Sequence, residues 1–340
     1  MRAATYDTYG APDVLRVREV PTPTAGDGEI LVQVQASTVT QGDRRLRSAD
    51  FPGISWLPGR PMVGLFRPKA RVLGTMFAGR VAAVGKGVTR FVPGDDVFGS
   101  CMSGAYGEYV AVPADGTVAQ MPAAMGYGEA AALPYGAMTA LIYLRDLGRV
   151  ERGQRVLVIG ASGGVGRYAV QVAAHFGAEV TGVCGSDHEL VRSLGAAHVV
   201  DHRREDFSAG GREYDIIFDA SDTSSFGRCK ASLTPRGRFL SLYMTATVLV
   251  QMLVTSLFGG RRAMVGAAFG SRADMEQVRD LAEQGAIWPV IDGSYPLERI
   301  VEAHARVETD RPHGSVVVTF SSHESRLQEV GAEAGERRRA

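Results

Sequence analysis

The sequence is poor in cysteine and carries no net charge. Its 340 residues include three cysteines, and 37 acidic side chains balance 37 basic ones. Cys101, Cys184 and Cys229 form neither a CxxC pair nor a metal-ligand spacing, which predicts free thiols in a reducing compartment, the cytoplasm. The balanced charge gives no electrostatic reason to expect nucleic acid or an anionic membrane as a partner.

The sequence also shows no pattern typical of a signal peptide or of a membrane-spanning helix. Residues 1–10 are polar and soon become strand-like, so we expect no secretory leader. The most apolar run, 239–258, contains six Ser, Thr and Gln side chains, whereas a spanning helix needs about 20 predominantly apolar residues. This run is predicted to form a strand followed by an apolar helix or lid.

The most informative stretch is 155–174, where an apolar run meets a glycine-rich turn and then a helical pattern. Residues 155–159 suit a buried strand, and apolar residues recur at helical spacing after Gly166. A second apolar strand, 179–184, completes a βαβ unit. A strand, glycine turn and helix aim backbone N–H groups at a pyrophosphate, so we predict a dinucleotide site rather than a packing turn.

The residues before this unit indicate a β-rich domain. Residues 29–36 alternate in period two, and glycines separate further short strands near 79–85, 95–99 and 106–110. This spacing is typical of a small barrel-like β fold. Residues 55–71, with three prolines, are predicted to be a surface loop, and 128–147 to be helical.

The residues after the glycine turn indicate a doubly wound parallel sheet. Its strands, with helices between them, are predicted at 155–159, 179–184, 197–200, 214–219, 237–242 and 263–268. An amphipathic helix with Met275 and Leu281, a strand containing Pro289, a helix near 300–306 and a strand over 314–320 are predicted to return to the first domain. The last residues, 321–340, have little to bury and are predicted to be a disordered tail.

In this order the motifs resemble the medium-chain dehydrogenase/reductase superfamily, and within it the zinc-independent quinone oxidoreductase-like branch. The resemblance runs from Met1 to about Phe320. It depends on Gly10-Ala11-Pro12-Asp13-Val14-Leu15, on Phe91-Val92-Pro93-Gly94-Asp95-Asp96-Val97-Phe98-Gly99, on Glu129-Ala130-Ala131-Ala132-Leu133-Pro134 before Thr139-Ala140, on the glycine turn continuing into Ala169-Val170-Gln171, on Leu194-Gly195-Ala196 with Val199-Val200-Asp201, and on Pro296-Leu297.

The resemblance implies an α/β fold, with a Rossmann doubly wound parallel sheet and a β-rich GroES-like barrel domain. The implied domains are a GroES-like catalytic domain over 1–124, a Rossmann nucleotide-binding domain over 125–269, and a return to the catalytic domain over 270–320. It also implies a cofactor site, whose predicted residues are Thr139, Ser162, Gly163, Gly164, Val165, Cys184, Gly185, Ser186, His202, Ala220, Leu242, Tyr243 and Phe269.

The end of the second strand indicates which nicotinamide cofactor binds. NAD-preferring sites end this strand in Asp or Glu, which bonds the ribose 2′-OH and would repel a 2′-phosphate. Here the strand ends in Cys184-Gly185-Ser186, with His202 and Arg203 expected nearby, so we expect NADPH rather than NADH. Asp187 lies in the same neighbourhood. The alternative for Ser186 is a helix N-cap, because Glu189 follows three residues later.

The resemblance also implies that no metal is bound. Zinc-dependent relatives carry Cys where Thr40 stands, Gly-His-Glu where Gly74-Thr75-Met76 stands, and Cys near Tyr135. These replacements are non-ligating or poor ligands for zinc. The scattered histidines, His175, His188, His198, His304 and His313, show no metal spacing and are predicted to be surface or cap residues.

By resemblance, Thr40 and Tyr135 flank the vacated metal position and are the predicted catalytic residues. Hydride transfer builds negative charge on an oxygen, which hydroxyl donors would stabilise there. The alternative is that both hydroxyls are bonded within the protein. Asp43 resembles a family position near the cofactor, and its alternative is a cap or turn residue.

The sequence therefore predicts an NADPH-dependent, zinc-free reductase of a quinone or an α,β-unsaturated carbonyl, with a small-molecule substrate. Three alternatives stay open: a dehydratase- or cyclase-like enzyme, a non-catalytic nucleotide-binding protein, and a zinc-free alcohol dehydrogenase or ketone reductase. A homodimer is also expected, because the strands at 239–242 and 263–268 would lie toward one edge of the sheet, where relatives commonly join.

Overall fold

The computed structural model describes residues 1–209, 211–309 and 312–320. The tail predicted over 321–340 lies outside the described residues.

Strands dominate the first part of the chain, and strands and helices alternate afterwards. The first elements are β1 (Arg2–Thr5), β2 (Arg16–Glu19), β3 (Glu29–Val39), α1 (Gln41–Ser48), α2 (Trp56–Val63), β4 (Met76–Val84), β5 (Asp96–Ser100), β6 (Tyr109–Pro113) and β7 (Val118–Gln120). Next come α3 (Tyr127–Ile142), β8 (Arg155–Ile159), α4 (Gly166–His175), β9 (Glu179–Cys184), α5 (His188–Ser193), β10 (His198–Asp201), β11 (Tyr214–Asp219), α6 (Phe226–Cys229), β12 (Leu233–Ser241), α7 (Ala246–Phe258) and β13 (Arg262–Val265). The last are α8 (Arg272–Glu283), β14 (Ile291–Pro296), α9 (Ile300–Thr309) and β15 (Ser315–Thr319).

The middle of the chain forms a six-stranded parallel sheet in the order β10-β9-β8-β11-β12-β13. The chain moves outward from β8 to β10 and then crosses back to β11, so the strand order reverses between β8 and β11. Ligands of open α/β sheets bind outside the carboxyl ends of the strands at such a reversal. The predicted doubly wound sheet is confirmed, and its binding crevice is expected beside the end of β8.

The β-rich part forms a second sheet of seven strands around β3. Its order is β14-β15-β3-β4-β5-β7, with β6 also paired to β3. Strand β15 pairs antiparallel with β3, so the end of the described chain returns to this sheet. Helix α3 packs between the sheets, because one core cluster joins its Leu133 to Phe98 of β5 and Val156 of β8. The domain boundaries at 124 and 269 stay predictions.

Three local predictions were wrong. The expected loop over 55–71 contains helix α2 with Pro61 inside it, because an interior proline removes one helical hydrogen bond and so disfavours a helix without excluding it. The strand expected to contain Pro289 begins later, at Ile291, because proline cannot donate to a ladder. Between β10 and β11 the described residues form turns and extended chain instead of a helix.

The apolar run 239–258 is confirmed as the end of β12 followed by helix α7. Among the described residues, no helix combines the length and the apolar character that crossing a membrane requires. Strand β13 lies at an edge of the parallel sheet, as predicted. The homodimer expected at this edge stays a prediction.

Candidate active site

The glycines of the turn after β8 have different physical roles. Gly160 has a φ of +78°, a left-handed conformation that favours glycine. A Cβ on Gly166 would lie 2.0 Å from the carbonyl oxygen of Gly160, so this glycine allows the turn and α4 to pack closely. Gly164 is exposed, and a Cβ there would meet nothing within 4 Å. The backbone at Gly164 therefore borders open space, which fits the approach of a pyrophosphate.

The end of β9 has two basic side chains beside it. A Cβ on Gly185 would lie 2.7 Å from Nε2 of His202 and 2.9 Å from Nε of Arg203. Both residues follow β10, whose Asp201 is opposite Cys184 in the parallel ladder. The structure thus places a histidine and an arginine where the sequence predicts the ribose end of the cofactor.

Ser186 and Asp187 form the turn that follows this strand end. The N-cap alternative for Ser186 is wrong, because Asp187 is the N-cap of α5, with a φ of +61°. The Ser186 hydroxyl instead donates to the Asp187 carboxylate at 3.2 Å. Nδ1 of His313 lies 2.9 Å from the same carboxylate. A carboxylate that is already hydrogen-bonded repels a nearby phosphate less than a free carboxylate does.

The remaining predicted cofactor residues divide into two groups. Ala220 and Leu242 follow β11 and β12 at the same sheet edge, and their N–H groups donate to the carbonyls of Ile159 and Asp219 at 3.0 and 3.1 Å. Tyr243 comes next in the chain. By contrast, the Thr139 hydroxyl donates within α3 to the Tyr135 carbonyl at 2.7 Å, and Phe269 lies beyond β13 with 78% of its side chain exposed.

Thr40 is the N-cap of α1, and its hydroxyl is committed to Asp43. Its Oγ1 donates to Oδ2 of Asp43 at 2.6 Å and accepts from the Asp43 N–H at 3.1 Å. The Thr40 N–H donates to the same Oδ2 at 2.9 Å, which completes a capping box. In this arrangement the hydroxyl hydrogen of Thr40 is directed at Asp43 and not at a ligand.

Asp43 is fully buried beneath the site. Thr75 donates from its hydroxyl to Oδ1 of Asp43 at 2.9 Å. Burial raises the pKa of Asp43, and the hydrogen bonds from Thr40, Thr75 and Tyr106 oppose that effect. Asp43 therefore organises the floor of the site through its hydroxyl donors.

Tyr135 keeps an uncommitted hydroxyl. Its ring borders α1, because a Cβ on Gly42 would lie 3.4 Å from its Cε2 and 3.2 Å from Oγ1 of Thr40. The next residue, Gly136, lies against the glycine turn, where its Cβ would be 2.6 Å from the Gly164 carbonyl oxygen. No described group accepts a hydrogen bond from the Tyr135 hydroxyl. Burial raises its pKa to about 12, so the phenol stays protonated and able to donate at neutral pH.

Comparisons with known proteins identify the family. The alcohol dehydrogenase GroES-like domain model matches residues 26–123, and the zinc-binding dehydrogenase model matches residues 194–318. Human quinone oxidoreductase is 30% identical over 323 residues, which cover 90% of this chain and 94% of the relative. The chain belongs to the medium-chain dehydrogenase/reductase superfamily.

Solved structures of similar proteins share the whole fold. The quinone oxidoreductase from Coxiella burnetii has a TM-score of 0.82 at 26% identity, covering 94% of this chain and 99% of that one. The Escherichia coli quinone oxidoreductase complexed with NADPH has a TM-score of 0.78 at 25% identity, covering 94% and 100%. This member of the superfamily is an oxidoreductase with a GroES-like domain and a Rossmann domain.

The residues that the resemblance assigns to the metal position, Thr40, Thr75 and Tyr135, carry hydroxyl side chains. Within the part of the chain that the structure describes, no group of three or more His, Cys, Asp or Glu side chains could hold a metal ion. Cys101 lies nearby, with its Sγ 3.8 Å from the Gly74 carbonyl oxygen. Burial raises the pKa of this thiol to about 12, so it stays protonated at neutral pH. The metal-free site stays a prediction.

Arg45 is a site residue that the sequence analysis missed. Its guanidinium carbon lies 5.0 Å from the centroid of the Tyr243 ring, and its charge acts against burial to lower the pKa of Tyr135. It forms no ion pair with a described residue. Arg45 follows Gly42 by three positions on α1, so both lie on the face that borders Tyr135. The three-residue spacing of Gly42 and Arg45 was the sequence signal that could have indicated Arg45.

A buried polar cluster holds α1 from behind. One amino group of Arg47 lies 2.9 Å from Nδ1 of His304, its Nε donates to the Gly10 carbonyl at 3.1 Å, and its other amino group contacts Glu308. Because a guanidinium only donates, Nδ1 accepts and the imidazole proton lies on Nε2. Burial, and then Arg47, lower the pKa of His304 to about 3. The prediction of a surface or cap role for His304 was wrong.

Proposed function

We propose that this protein is an NADPH-dependent, metal-independent reductase of quinones or α,β-unsaturated carbonyls. The observation that carries the proposal is the uncommitted hydroxyl of Tyr135, whose neighbour Gly136 lies against the open glycine turn. A hydrogen-bond donor beside a dinucleotide site suits a reaction that builds charge on a carbonyl oxygen. The similarity to quinone oxidoreductases supports the substrate class.

The residues at the sheet edge fit a dinucleotide. The exposed Gly163 and Gly164 leave room for a pyrophosphate beside the start of α4. His202 and Arg203 would hold a 2′-phosphate, since both lie against Gly185 and carry nitrogen donors. Bound NADPH would supply the hydride.

The first prediction concerns cofactor preference. Wild-type protein should bind NADPH at least tenfold more tightly than NADH, because a charged hydrogen bond contributes about 1.5–3 kcal/mol. Arg203→Gln should remove most of this preference by weakening NADPH binding while NADH affinity stays unchanged. Fluorescence titration with both nucleotides measures the two dissociation constants.

The matched control for Arg203 is the next residue. Arg204→Gln removes the same charge from a side chain that is 86% exposed and lies 3.6 Å from Asp201, so both affinities should stay near wild type. Equal binding of the two nucleotides by the wild-type protein would contradict the phosphate site.

Tyr135 acts in this mechanism as the donor to the substrate oxygen. Its neutral hydroxyl donates no hydrogen bond to a described residue, so no such bond has to break before it donates to the substrate oxygen. The nearby Arg45 guanidinium adds positive charge on the same side. Thr40 and Thr75 hold Asp43 beneath them and keep α1 in place.

The second prediction tests this donor. Tyr135→Phe should lower turnover about 100-fold, because removing one preorganised oxyanion donor costs at least that much. NADPH affinity should change less than twofold. Tyr127→Phe is the control on the same helix, since it removes a hydroxyl that donates to Asp96 at 2.6 Å. Steady-state reduction of a quinone and an enone compares the variants, and unchanged turnover in Tyr135→Phe would exclude this role.

The third prediction concerns Arg45. Arg45→Gln should lower turnover about tenfold, because a nearby positive charge that stabilises developing negative charge by about 1.4 kcal/mol changes the rate by that factor. Arg45→Lys should retain part of the rate. Arg44→Gln is the control, because Arg44 lies 3.6 Å from Asp50 and 3.5 Å from Glu308. Wild-type rates in Arg45→Gln would remove this residue from the proposed mechanism.

Metal independence belongs to the same proposal. Turnover should be unaffected by a chelator, and elemental analysis of purified protein should find well under one zinc per chain. Stoichiometric zinc would overturn the roles given to Thr40, Thr75 and Tyr135.

A further inference from the structure

Charge is distributed unevenly along this neutral chain. Two long stretches, 51–94 and 223–273, contain no Asp or Glu, although each contains seven Lys and Arg residues. Most of the large apolar side chains that the structure leaves exposed belong to the same stretches. Some of these basic side chains pair with carboxylates from elsewhere in the chain, as Arg80 does with Asp96 and Arg90 with Glu276. Exposed apolar area beside the basic side chains that stay unpaired is the composition of a membrane-surface site.

Helix α7 has an apolar face that no described residue covers. Its other side packs on β13, where the Thr255 hydroxyl accepts a hydrogen bond from the Ala263 N–H at 3.1 Å. The uncovered side chains recur at the spacing of a helical stripe, and Phe258 is 82% exposed. They are Val250, Leu253, Val254, Leu257 and Phe258.

The segment 56–71 also leaves large apolar side chains uncovered. It exposes Trp56, Leu57, Met62, Leu65 and Phe66, the last by 85%. Three exposed basic residues, Arg67, Lys69 and Arg71, follow directly. Of these three, Arg71 approaches a described carboxylate, Asp7 at 3.9 Å, and Asp7 also pairs with Arg18 at 2.7 Å. The segment therefore keeps a net positive charge.

The segment 56–71 and helix α7 begin close together. A Cβ on Gly53, in the turn before α2, would lie 2.8 Å from the Met244 carbonyl oxygen and 3.5 Å from Cα of Thr245. Thr245 is the N-cap of α7. The ten exposed apolar residues of α7 and 56–71, with Arg67, Lys69 and Arg71, are called the basic apolar surface below.

We propose that the basic apolar surface binds an anionic lipid bilayer as a peripheral site. Its apolar side chains would enter the headgroup region, and its basic side chains would meet lipid phosphates. A second copy of the chain fits this surface less well, because a two-fold interface places the same patch against itself and these stretches supply no carboxylates to pair with the arginines. Membrane binding here is independent of the reaction proposed above.

The test is sedimentation of the full chain with extruded vesicles. Wild-type protein should bind vesicles containing phosphatidylglycerol and leave phosphatidylcholine vesicles largely unbound. Binding should weaken as salt rises from about 0.1 M to about 1 M, since the screening length then falls from about 10 Å to about 3 Å. The double variant Leu257→Ser/Phe258→Ser and the charge variant Arg67→Glu/Lys69→Glu should each bind at least tenfold more weakly.

Matched controls come from outside this surface. Val92→Ser changes an apolar side chain that is 59% exposed, and Lys86→Glu reverses a charge in the turn after β4. Both controls should bind like wild type, and melting temperatures of all variants should agree, because the changed side chains are exposed. Failure of wild type to bind anionic vesicles, or equal binding by the surface variants, would overturn the proposal. So would light scattering showing that the surface variants dissociate a dimer, since the occupant would then be a second copy.

Discussion

Replacing Gly164 with Asp should abolish nucleotide binding while leaving the protein folded. A Cβ at Gly164 meets nothing within 4 Å, so the new side chain causes no clash inside the protein. Its carboxylate would instead lie in the open space where a pyrophosphate approaches. Two like charges about 4 Å apart repel by about 4 kcal/mol at a protein surface, which corresponds to about a thousandfold in affinity.

The neighbouring glycines provide the controls for this substitution. Gly164→Ala adds a small uncharged group and should weaken binding far less than Gly164→Asp. Gly166→Ala should instead destabilise the fold, because its Cβ would lie 2.0 Å from the Gly160 carbonyl oxygen. Isothermal titration with NADPH and thermal melts separate the two effects. Wild-type affinity in Gly164→Asp would mean that the nucleotide does not lie against this turn.

Acidification should destabilise the protein through His304. The pKa of this buried imidazole is lowered from 6.5 to about 3, so the unfolded chain takes up a proton on His304 that the folded chain does not. Stability from this residue is therefore fully present above pH 6.5 and is lost as the pH falls toward 3. The loss is about 1.4 kcal/mol per pH unit and about 5 kcal/mol in total.

Urea unfolding at a series of pH values measures this dependence. His304→Gln should flatten the curve between about pH 6 and pH 5, where most carboxylates stay ionised, and its amide oxygen can still accept from Arg47. His198→Gln is the control, because its side chain is 43% exposed and lies beside Glu179. Identical slopes in His304→Gln and the wild-type protein would show that His304 binds its proton equally in the folded and unfolded states, which would contradict the lowered pKa.

Much of the backbone around the proposed cofactor edge could be predicted because its signals are local. The strand, turn and helix around Gly160–Gly166 are adjacent in sequence, and the position of His202 follows from the parallel pairing of β9 with β10. The capping box of Thr40 and Asp43 also has a local spacing of three residues. The sequence contains this spacing and could have indicated the cap, although the resemblance implies a catalytic role for Thr40.

The substrate side of the site could not be predicted in the same way. Gly42 lies against Tyr135, and Gly136 lies against the Gly164 carbonyl, so the proximity of these segments depends on how α3 packs between the two sheets. Arg45 and Tyr243 are also far apart in sequence, and no periodicity relates them. The burial of His304 likewise follows from the packing of α9 on α1.

The sequence by itself determined the fold class, the glycine turn and the strand ends at the cofactor edge, because backbone conformation and hydrophobic period are local properties. Tertiary structure alone decided which hydroxyl is committed and which is free, since Thr40 donates to Asp43 while Tyr135 finds no acceptor among the described residues. It also decided where unbalanced charge meets exposed apolar area. The balance of 37 acidic and 37 basic residues describes the net charge of the whole chain, whereas a binding partner contacts only one part of the surface.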